Sequence, residues 1–280
     1  MFEKIPPSLL DALRHGGVIP YLGAGMLDTP ENTSGLPATP EALAELLTAK
    51  VSVPHKIRKR LTAAAQYIEN FKHRKTLANL MDGVFAQAGS PTALHHWLAA
   101  WPYMPLMVSA WYDDTVQQAL AGRNDWGMVQ GLSQSEHFGQ WFGYYQANGA
   151  PATEAESVAW QTLLYQPWGS GKPVGNYLVS DSDYVEVLTE IDIQTPIPEP
   201  VQRLRTGRHF LFLGCRFNDQ LSRSFARQIM KRSSDQHWAL LPKEMSRNEQ
   251  RFLLEQRITP IHLSTAELVA QLPMSEAVAV

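Results

Sequence analysis

The sequence predicts an α/β fold: a Rossmann-like parallel sheet with helices on both faces and a helical insertion. Short apolar runs that stop at glycine or polar turns alternate with segments of helical spacing, most clearly in the last third of the chain. Such alternation is typical of parallel strands joined by right-handed crossovers. The 280 residues, of which 44% are hydrophobic and 18% charged, suffice for one large globular domain.

The first predicted elements are a short helix and a buried strand. Residues 8–15 carry leucines at helical spacing and are followed by two glycines, which often end helices. The apolar run 18–22 predicts a strand that enters a glycine turn. Residues 28–38, rich in Pro, Thr, Asn and Gly, are predicted to form a loop.

An all-helical insertion is predicted over residues 39–101. Thr39 opens it with a typical helix start, in which a threonine cap, a proline and an acidic residue follow one another. Strand patterns are missing from the rest of this stretch. We therefore expect a single domain over 1–280, with its core at about 8–38 and 102–272.

Strand and helix patterns alternate along the remaining chain. Strands are predicted at 106–111, 126–129, 162–165, 209–213, 238–241 and 258–263. Helices are predicted at 114–121, from 181 after a Ser180 cap, at 219–231, at 246–256, and after Thr265 as the cap of a final helix. Residues 140–152 are predicted to be a loop.

Composition argues against several classes of protein. The formal net charge of −3 gives no overall attraction to nucleic acid or membranes. The single cysteine, Cys215, permits neither an internal disulfide nor a multi-cysteine zinc site, and His95-His96 lack partners at metal-ligand spacing. No signal-peptide core or apolar run of membrane-spanning length is evident. We expect a cytoplasmic protein with no metal and no membrane.

Four predicted strand ends carry unusual residues, and parallel α/β sheets bind ligands at such ends. In chain order the blocks are Gly23-Ala24-Gly25-Met26, Ser109-Ala110-Trp111-Tyr112-Asp113-Asp114, Tyr165-Gln166-Pro167-Trp168-Gly169-Ser170 with Asp183-Tyr184 after it, and Gly214-Cys215-Arg216-Phe217-Asn218-Asp219. Glycines in the first block would let backbone amides approach a pyrophosphate, although a tight turn without a ligand fits equally well.

In this order and spacing the four blocks resemble the sirtuin-like family, in particular its bacterial zinc-free branch, from about Val18 to Leu263. That family shows Gly-Ala-Gly-x-Ser, then Thr-Thr-Asn-Tyr-Asp, then His-Gly with Thr-x-x-Asp-Tyr, and finally Gly-Tyr-Ser-Leu-x-Asp. The resemblance implies NAD or ADP-ribose as ligand, with pyrophosphate over the first block and adenosine over the last. The implied contact residues are Gly23, Ala24, Gly25, Met26, Ser109, Trp111, Asp113, Trp168, Gly169, Gly214, Cys215, Phe217, Asn218 and Asp219.

The sequence departs from the family pattern at both catalytic positions. Trp111 stands where the family has the asparagine that positions water or the ribose, and Trp168 where it has the histidine base. An indole only donates a hydrogen bond and has no pKa useful for proton transfer, so neither tryptophan can replace its counterpart. In the first block Met26 follows Gly-Ala-Gly and the serine of the family pattern is missing, whereas Asp113 and Gly169 are kept. We therefore expect no catalytic residue at these positions.

Three functions stay open from the sequence. The first is a catalytically degenerate protein that binds NAD or ADP-ribose without turnover, or serves as a scaffold in a bacterial regulatory or defence assembly. The second is an active NAD glycohydrolase that uses non-standard residues, with Asp113 retained. The third is a protein-interaction or self-association module without a ligand, in which both tryptophans belong to the core of a collapsed cleft.

Basic segments at 55–60 and 72–75 lie in the predicted insertion. We interpret them as a solvated helix face and expect no nucleic-acid partner, because a nucleic-acid site also needs groove or stacking elements. We expect Cys215 to be a buried thiol rather than a nucleophile, since no histidine lies close to it in the sequence. The aromatic-rich segment 122–149 fits either an interface or a lid over the cleft.

Overall fold

The structure is a computed structural model that describes the backbone of residues 4–193 and 196–273 and the side chains of 4–188 and 196–273. Its strands are β1 (Val18–Leu22), β2 (Leu106–Ser109), β3 (Trp126–Gly131), β4 (Phe142–Gln146), β5 (Pro151–Ala152), β6 (Thr162–Gln166), β7 (Gly169–Ser170), β8 (Asn176–Tyr177), β9 (His209–Leu213), β10 (His237–Leu240) and β11 (Ile258–Ile261). Its helices are α1 (Pro7–Arg14), α2 (Pro40–Lys50), α3 (Leu61–Lys72), α4 (Arg74–Val84), α5 (Ala93–Ala100), α6 (Thr115–Leu120), α7 (Asp181–Ile193), α8 (Glu199–Arg205), α9 (Gln220–Ile229), α10 (Arg247–Glu255) and α11 (Thr265–Gln271).

One nine-stranded sheet organises the chain in the order β11-β10-β9-β1-β2-β6-β3-β4-β5. The strands from β11 to β3 run parallel, whereas β4 and β5 are antiparallel additions beyond β3. Leu22, at the end of β1, lies in register with Leu213 of β9 and with Ser109 of β2. The carboxyl ends of these central strands therefore meet at one edge of the sheet, as the sequence predicts for an α/β fold.

Two apolar layers cover the sheet, because alternate residues of a strand point to opposite faces. Ile19 and Phe210 contribute to the layer that holds α2–α4 and α7–α10. Val18 and Leu211 contribute to the opposite layer, which holds α1, α5, α6 and α11. The central strands are buried on both faces, and this explains why their sequences are continuous apolar runs.

The stretch 39–101 is helical, as predicted, and contains α2, α3, α4 and α5. The hydroxyl of Thr39 accepts the N–H of Ala42 and caps α2, which confirms the predicted helix start. The helices of this stretch do not share one layer: α5 packs with α6 and α11 on the face opposite α2–α4. The stretch therefore contributes to both sides of the sheet.

Two predicted elements differ from the structure. Residues 140–152 contain β4 and β5 instead of a loop, since Phe142–Gln146 pairs with residues 127–131 of β3 on one side and with β5 on the other. The cap of α11 is Ser264 and not Thr265. Ser264 has Glu267 three residues later and completes a capping box with it, which Thr265 could not do.

Helix length and apolarity bear on membrane insertion. Within 4–193 and 196–273, every helix is too short or too polar to cross a bilayer. The longest helix, α7, has 13 residues.

Candidate functional site

The sheet has a topological switch point between β1 and β9. The chain runs from β1 to β2 on one side, and later from β9 to β10 and β11 on the other side. Ligands of open α/β sheets usually bind in the crevice at the carboxyl ends of such a strand pair. The structure places the first and the last glycine blocks at this crevice, and it places the Trp111 and Trp168 blocks on the neighbouring strands β2 and β6.

The two glycine turns contact each other at the switch point. The N–H of Gly25 donates to the carbonyl oxygen of Gly214 over 2.9 Å. A Cβ on Gly23 or Gly25 would lie 2.7 or 2.8 Å from that same oxygen. Gly214 itself has a φ of +62°, and a Cβ on it would lie 2.3 Å from the nitrogen of Met26. Contact between the two turns is thus enough to require these glycines, with or without a phosphate.

Ala24 and Met26 lie in a short 3-10 helix, Ala24–Leu27, that directly follows β1. Met26 is 2% exposed and packs in the layer of α1 and α5. Leu27, which falls at the serine of the pattern Gly-Ala-Gly-x-Ser, is 5% exposed and packs in the opposite layer, as does the half-buried Ala24. These apolar side chains therefore pack against the sheet and supply no hydroxyl to the crevice.

Trp111 is buried in contacts of the protein itself. Its indole N–H donates to the carbonyl oxygen of Pro37 over 2.9 Å. Its ring meets Phe85 edge-on at 6.4 Å and lies 5.0 Å from the ring of Tyr112. Ser109, two residues earlier, is the buried last residue of β2. With 6% of its surface exposed, Trp111 closes the carboxyl end of β2.

Trp168 is buried in a second aromatic cluster. Its ring lies 4.5 Å from the rings of both Tyr184 and Phe225, and only 6% of the residue is exposed. Gly169 follows with a φ of +75°, and a Cβ there would lie 2.0 Å from the carbonyl oxygen of Asn176 in the β7–β8 hairpin. The ring partners of Trp168 differ from those of Trp111, so each tryptophan fills its own part of the edge.

Asp113, the acidic residue kept from the family pattern, is hydrogen-bonded to the start of α6. One of its carboxylate oxygens accepts the N–H of Thr115 over 2.9 Å at the start of α6. Burial raises the pKa of this carboxyl, although the hydrogen bonds from Thr115 act in the opposite direction. A carboxylate held in a helix cap is poorly placed to accept a proton from a ligand.

Asp114 joins three segments at the same edge. Its carboxylate accepts the N–H of Gly89 over 2.6 Å, the side-chain amide of Gln118 over 2.8 Å and the ammonium of Lys172 over 2.9 Å. Burial opposes ionisation, but these hydrogen bonds outweigh it and lower the pKa of Asp114. The ion pair fixes the turn after β6, which carries Trp168, against α6.

The block after β9 combines buried and exposed residues. Phe217 is 2% exposed and packs edge-on against Phe212 at 5.2 Å. Cys215 places its sulfur 3.4 Å from the carbonyl oxygen of Leu213, and burial raises the pKa of its thiol to about 12. Asn218 is exposed, as is Asp219, which caps α9 by accepting the N–H of Ser222 over 2.8 Å. The half-buried thiol is therefore protonated at neutral pH, which fits a structural residue and not a nucleophile.

An ion-pair network surrounds Asp183, and the sequence alone did not predict it. Asp183 is 1% exposed and accepts the hydroxyl of Ser133 over 2.6 Å and the guanidinium of Arg74 over 2.8 Å. Arg74 also pairs with Glu69 and Glu136 and donates to the carbonyl oxygen of Tyr177. Burial acts to lower the pKa of Arg74, but the facing carboxylates outweigh it and raise the pKa.

The role of Arg74 corrects the interpretation of 72–75 as a solvated face, since the Arg74 side chain is only 13% exposed. The network joins α4, the turn after β3 and α7. In the sequence, only the Asp183-Tyr184 pair hinted at it, because the partner arginine lies 109 residues away.

Buried amides support the turn that carries Trp168. The side-chain oxygen of Gln166 accepts the amides of Gln117 and Gln130, each over 3.2 Å, and Asn176 donates to Gln130 over 2.9 Å. Gln117 and Gln130 also donate to the carbonyl oxygen of Lys172. Because buried polar groups must be paired, this network fixes the geometry of residues 167–172.

Two cavities lie away from the switch point. One, of about 270 Å³, is at the amino end of β10 and includes Arg227 and Arg257 in its wall. The other, of about 620 Å³, lies between the ends of α2 and α3. In the part of the chain that the structure describes, no three His, Cys, Asp or Glu side chains form a group that could hold a metal ion.

Comparison with known proteins yields one match. A family model described as SIR2-like domain matches residues 105–261. The matched range contains the blocks after β2, β6 and β9 and begins after the first glycine block. No curated protein matches the chain.

Proposed function

The chain belongs to the family of SIR2-like domains, and from that premise we propose that it binds an adenine nucleotide, NAD or ADP-ribose, without cleaving it. The family match confirms the sirtuin-like resemblance that the four strand-end blocks predict and supports a function related to NAD. Binding without turnover is the finer proposal. It is supported by a contrast between two halves of the carboxyl edge of the sheet, one at the switch point and one at the ends of β2 and β6.

The half at the switch point is accessible. Gly23, Gly25 and Gly214 are only partly buried, and Asn218 and Asp219 are exposed beside them. Backbone amides in glycine turns can approach phosphate oxygens, and exposed polar side chains can reach ribose hydroxyls. A nucleotide placed here would lie across the contact between the turns after β1 and β9.

The half at β2 and β6 is filled. Trp111 and Trp168 occupy the two positions of the family pattern that hold asparagine and histidine, and their surroundings are aromatic. Burial raises the pKa values of Tyr112 and Tyr184, so both phenols stay neutral at neutral pH. Cleavage of the nicotinamide–ribose bond needs a polar pocket and a proton acceptor. Trp111 and Trp168 supply neither, and the carboxylates of Asp113 and Asp114 are already hydrogen-bonded within the protein.

The proposal is tested with two assays on the full chain. Isothermal titration calorimetry with NAD and with ADP-ribose should detect binding, and a nicotinamide-release assay should detect no product. Release of nicotinamide above the protein-free rate would instead establish an active glycohydrolase. If the calorimetric titrations detect no binding of either nucleotide, the proposed ligand is wrong.

A charge variant locates the binding. Asn218→Glu adds a negative charge at an exposed position beside the glycine turns and should weaken binding about tenfold or more. The matched control is Asn79→Glu, the same change at an exposed position of α4. Equal affinities for the two variants would place the nucleotide elsewhere.

A scaffold role in a bacterial regulatory or defence assembly is the second candidate function. It is favoured by Phe138, which is 94% exposed in the segment between β3 and β4. Aromatic side chains are enriched in protein–protein interfaces, and a ring this exposed is available for such a contact. Size-exclusion chromatography with light scattering tests the self-associating form of this function, for which Phe138→Ser should lower the apparent mass.

A further inference from the structure

Two aromatic rings form an exposed pair on α3. Tyr67 and Phe71 are four residues apart, so they share one face of the helix, and their ring centroids lie 4.4 Å apart with planes inclined by 32°. Phe71 is 65% exposed. The core-facing side of α3 is formed by other residues, among them Ala64 and Ile68. Tyr67 is half-buried and packs against the edge of the core, whereas Phe71 presents most of its ring to solvent.

The pair lines a concave surface between two helix ends. The cavity has a volume of about 620 Å³, and its wall includes Tyr67, Phe71, Lys50 at the end of α2 and Lys72 at the end of α3. Both lysines are exposed. A ligand that enters this cavity meets aromatic faces and ammonium groups at the same time.

The surrounding sequence is strongly basic. Residues 46–81 contain eight lysines and arginines but one acidic residue, Glu69, in a chain whose formal net charge is −3. Arg74 is committed to its buried network, and Lys59 pairs with Glu45. The exposed cations that are left in this range are Lys50, Lys56, Arg58, Arg60, Lys72 and Lys75. The positive charge is therefore concentrated in this part of the sequence, and two of its lysines, Lys50 and Lys72, line the cavity together with the aromatic pair.

We propose that this surface, formed by the ends of α2 and α3, binds single-stranded nucleic acid. A base stacks on the Tyr67–Phe71 pair, and the neighbouring phosphates contact Lys50 and Lys72. Aromatic stacking combined with a basic groove is the general mode of single-strand recognition, and it tolerates any base because each has a π-face. The concave shape suits a base better than it suits a flat lipid surface.

The proposal reverses our expectation from the sequence that the basic segments are only a solvated face. That expectation depended on the lack of a stacking element beside them. The structure shows that Tyr67 and Phe71 provide one next to Lys50 and Lys72. The site is separate from the switch point between β1 and β9, so it stands or falls independently of nucleotide binding there.

Fluorescence anisotropy of the full chain with a labelled oligothymidylate of about 12 nucleotides tests the proposal. The logarithm of the binding constant should fall linearly with the logarithm of the salt concentration. Phe71→Ala should weaken binding on the order of tenfold through loss of stacking. The double change Lys50→Glu and Lys72→Glu should weaken it further and make the salt slope shallower by about 1.4, the value for two lost phosphate contacts.

Matched controls separate these effects from general charge and stability. Tyr103→Ala removes another exposed ring, and Lys231→Glu with Lys243→Glu makes the same charge change at exposed positions elsewhere. Both controls should bind like the parent protein. Phe71→Leu keeps apolar area without an aromatic face and should lose as much affinity as Phe71→Ala, which distinguishes lost stacking from unfolding.

Three results would overturn the proposal. One is absence of binding at low salt, and another is equal affinity for Phe71→Ala and Tyr103→Ala. The third is a preference for vesicles of phosphatidylserine and phosphatidylcholine, or for duplex DNA, over the single strand.

Discussion

The N–H of Gly25 donates to the carbonyl oxygen of Gly214 over 2.9 Å, so the turns after β1 and β9 are hydrogen-bonded to each other at the switch point of the sheet. The two turns lie 189 residues apart in the sequence. Their contact sets the floor of the crevice to which we assign the nucleotide. Any change that separates the turns should disturb folding before it disturbs binding.

Gly214→Ala should therefore destabilise the protein by roughly 3 kcal/mol, because the left-handed backbone costs about 1–2 kcal/mol and the new Cβ would meet the nitrogen of Met26. The matched control is Gly35→Ala, at a φ of +68° with open space around it. It should cost only the backbone component, about 1–2 kcal/mol. Urea unfolding of the two variants makes the comparison, and equal losses would refute the close contact.

Arg74→Ala should lower the free energy of unfolding by roughly 3 kcal/mol or more, because it leaves the buried Asp183 carboxylate without its cation. The neighbouring exposed Lys75→Ala should change it by less than about 0.5 kcal/mol. Denaturant titration at neutral pH measures both. A loss for Arg74→Ala as small as that for Lys75→Ala would show that the network contributes little to stability.

Stability should fall as the pH is lowered from about 6.5 to about 4, because two buried histidines stay neutral in the folded protein. Burial, with His96 nearby, lowers the pKa of His95 to about 4, and burial lowers that of His237 to about 4. Each ring accepts a backbone N–H, from Thr92 and Phe210 respectively. In this window the unfolded chain binds protons that the folded chain does not bind, so each histidine lowers the free energy of unfolding by about 1.4 kcal/mol per pH unit.

The variant His95→Gln tests the contribution of His95, since glutamine at the third helical position also forms a capping box with Thr92. Its unfolding free energy should decline less steeply over the same pH range, while its stability at pH 7.5 changes little. An unchanged slope would mean that His95 is protonated in the folded protein.

Cys215 should react very slowly with a thiol reagent in the folded protein, because it is half-buried beside the carbonyl oxygen of Leu213 and its thiol pKa is raised to about 12. As it is the single cysteine of the chain, one absorbance trace reports on it alone. Addition of urea should release the full reaction at once. Rapid modification under native conditions would show that the turn after β9 opens readily.

The sequence alone was sufficient for the parallel part of the sheet, because β1 and β9 are buried on both faces and such strands appear as unbroken apolar runs. It was not sufficient for β4. This strand is half-buried throughout, and its glycine, tyrosines and glutamine show no clear alternation of apolar and polar residues. Its pairing with β3 and β5 defines it, and that pairing is not visible in the local sequence.

The same limit applied to the candidate site. The strand-end blocks could be located from their glycines and tryptophans, since these residues can be recognised in the sequence without knowledge of their contacts. The partners of these blocks could not. Nothing near Trp168 in the sequence points to Phe225, and nothing near Asp183 points to Arg74, because each pair is joined only by the folded chain. Whether a glycine turn touches a ligand or another turn is likewise decided by long-range packing.

The outermost strands of the sheet, β5 at one side and β11 at the other, each contain a proline, Pro151 and Pro260. A proline has no N–H and interrupts the row of donors that an exposed strand would offer to another chain. Edge-to-edge extension of the sheet into aggregates is therefore discouraged at both ends. Copies of this protein that assemble must do so through side chains on their helices and turns.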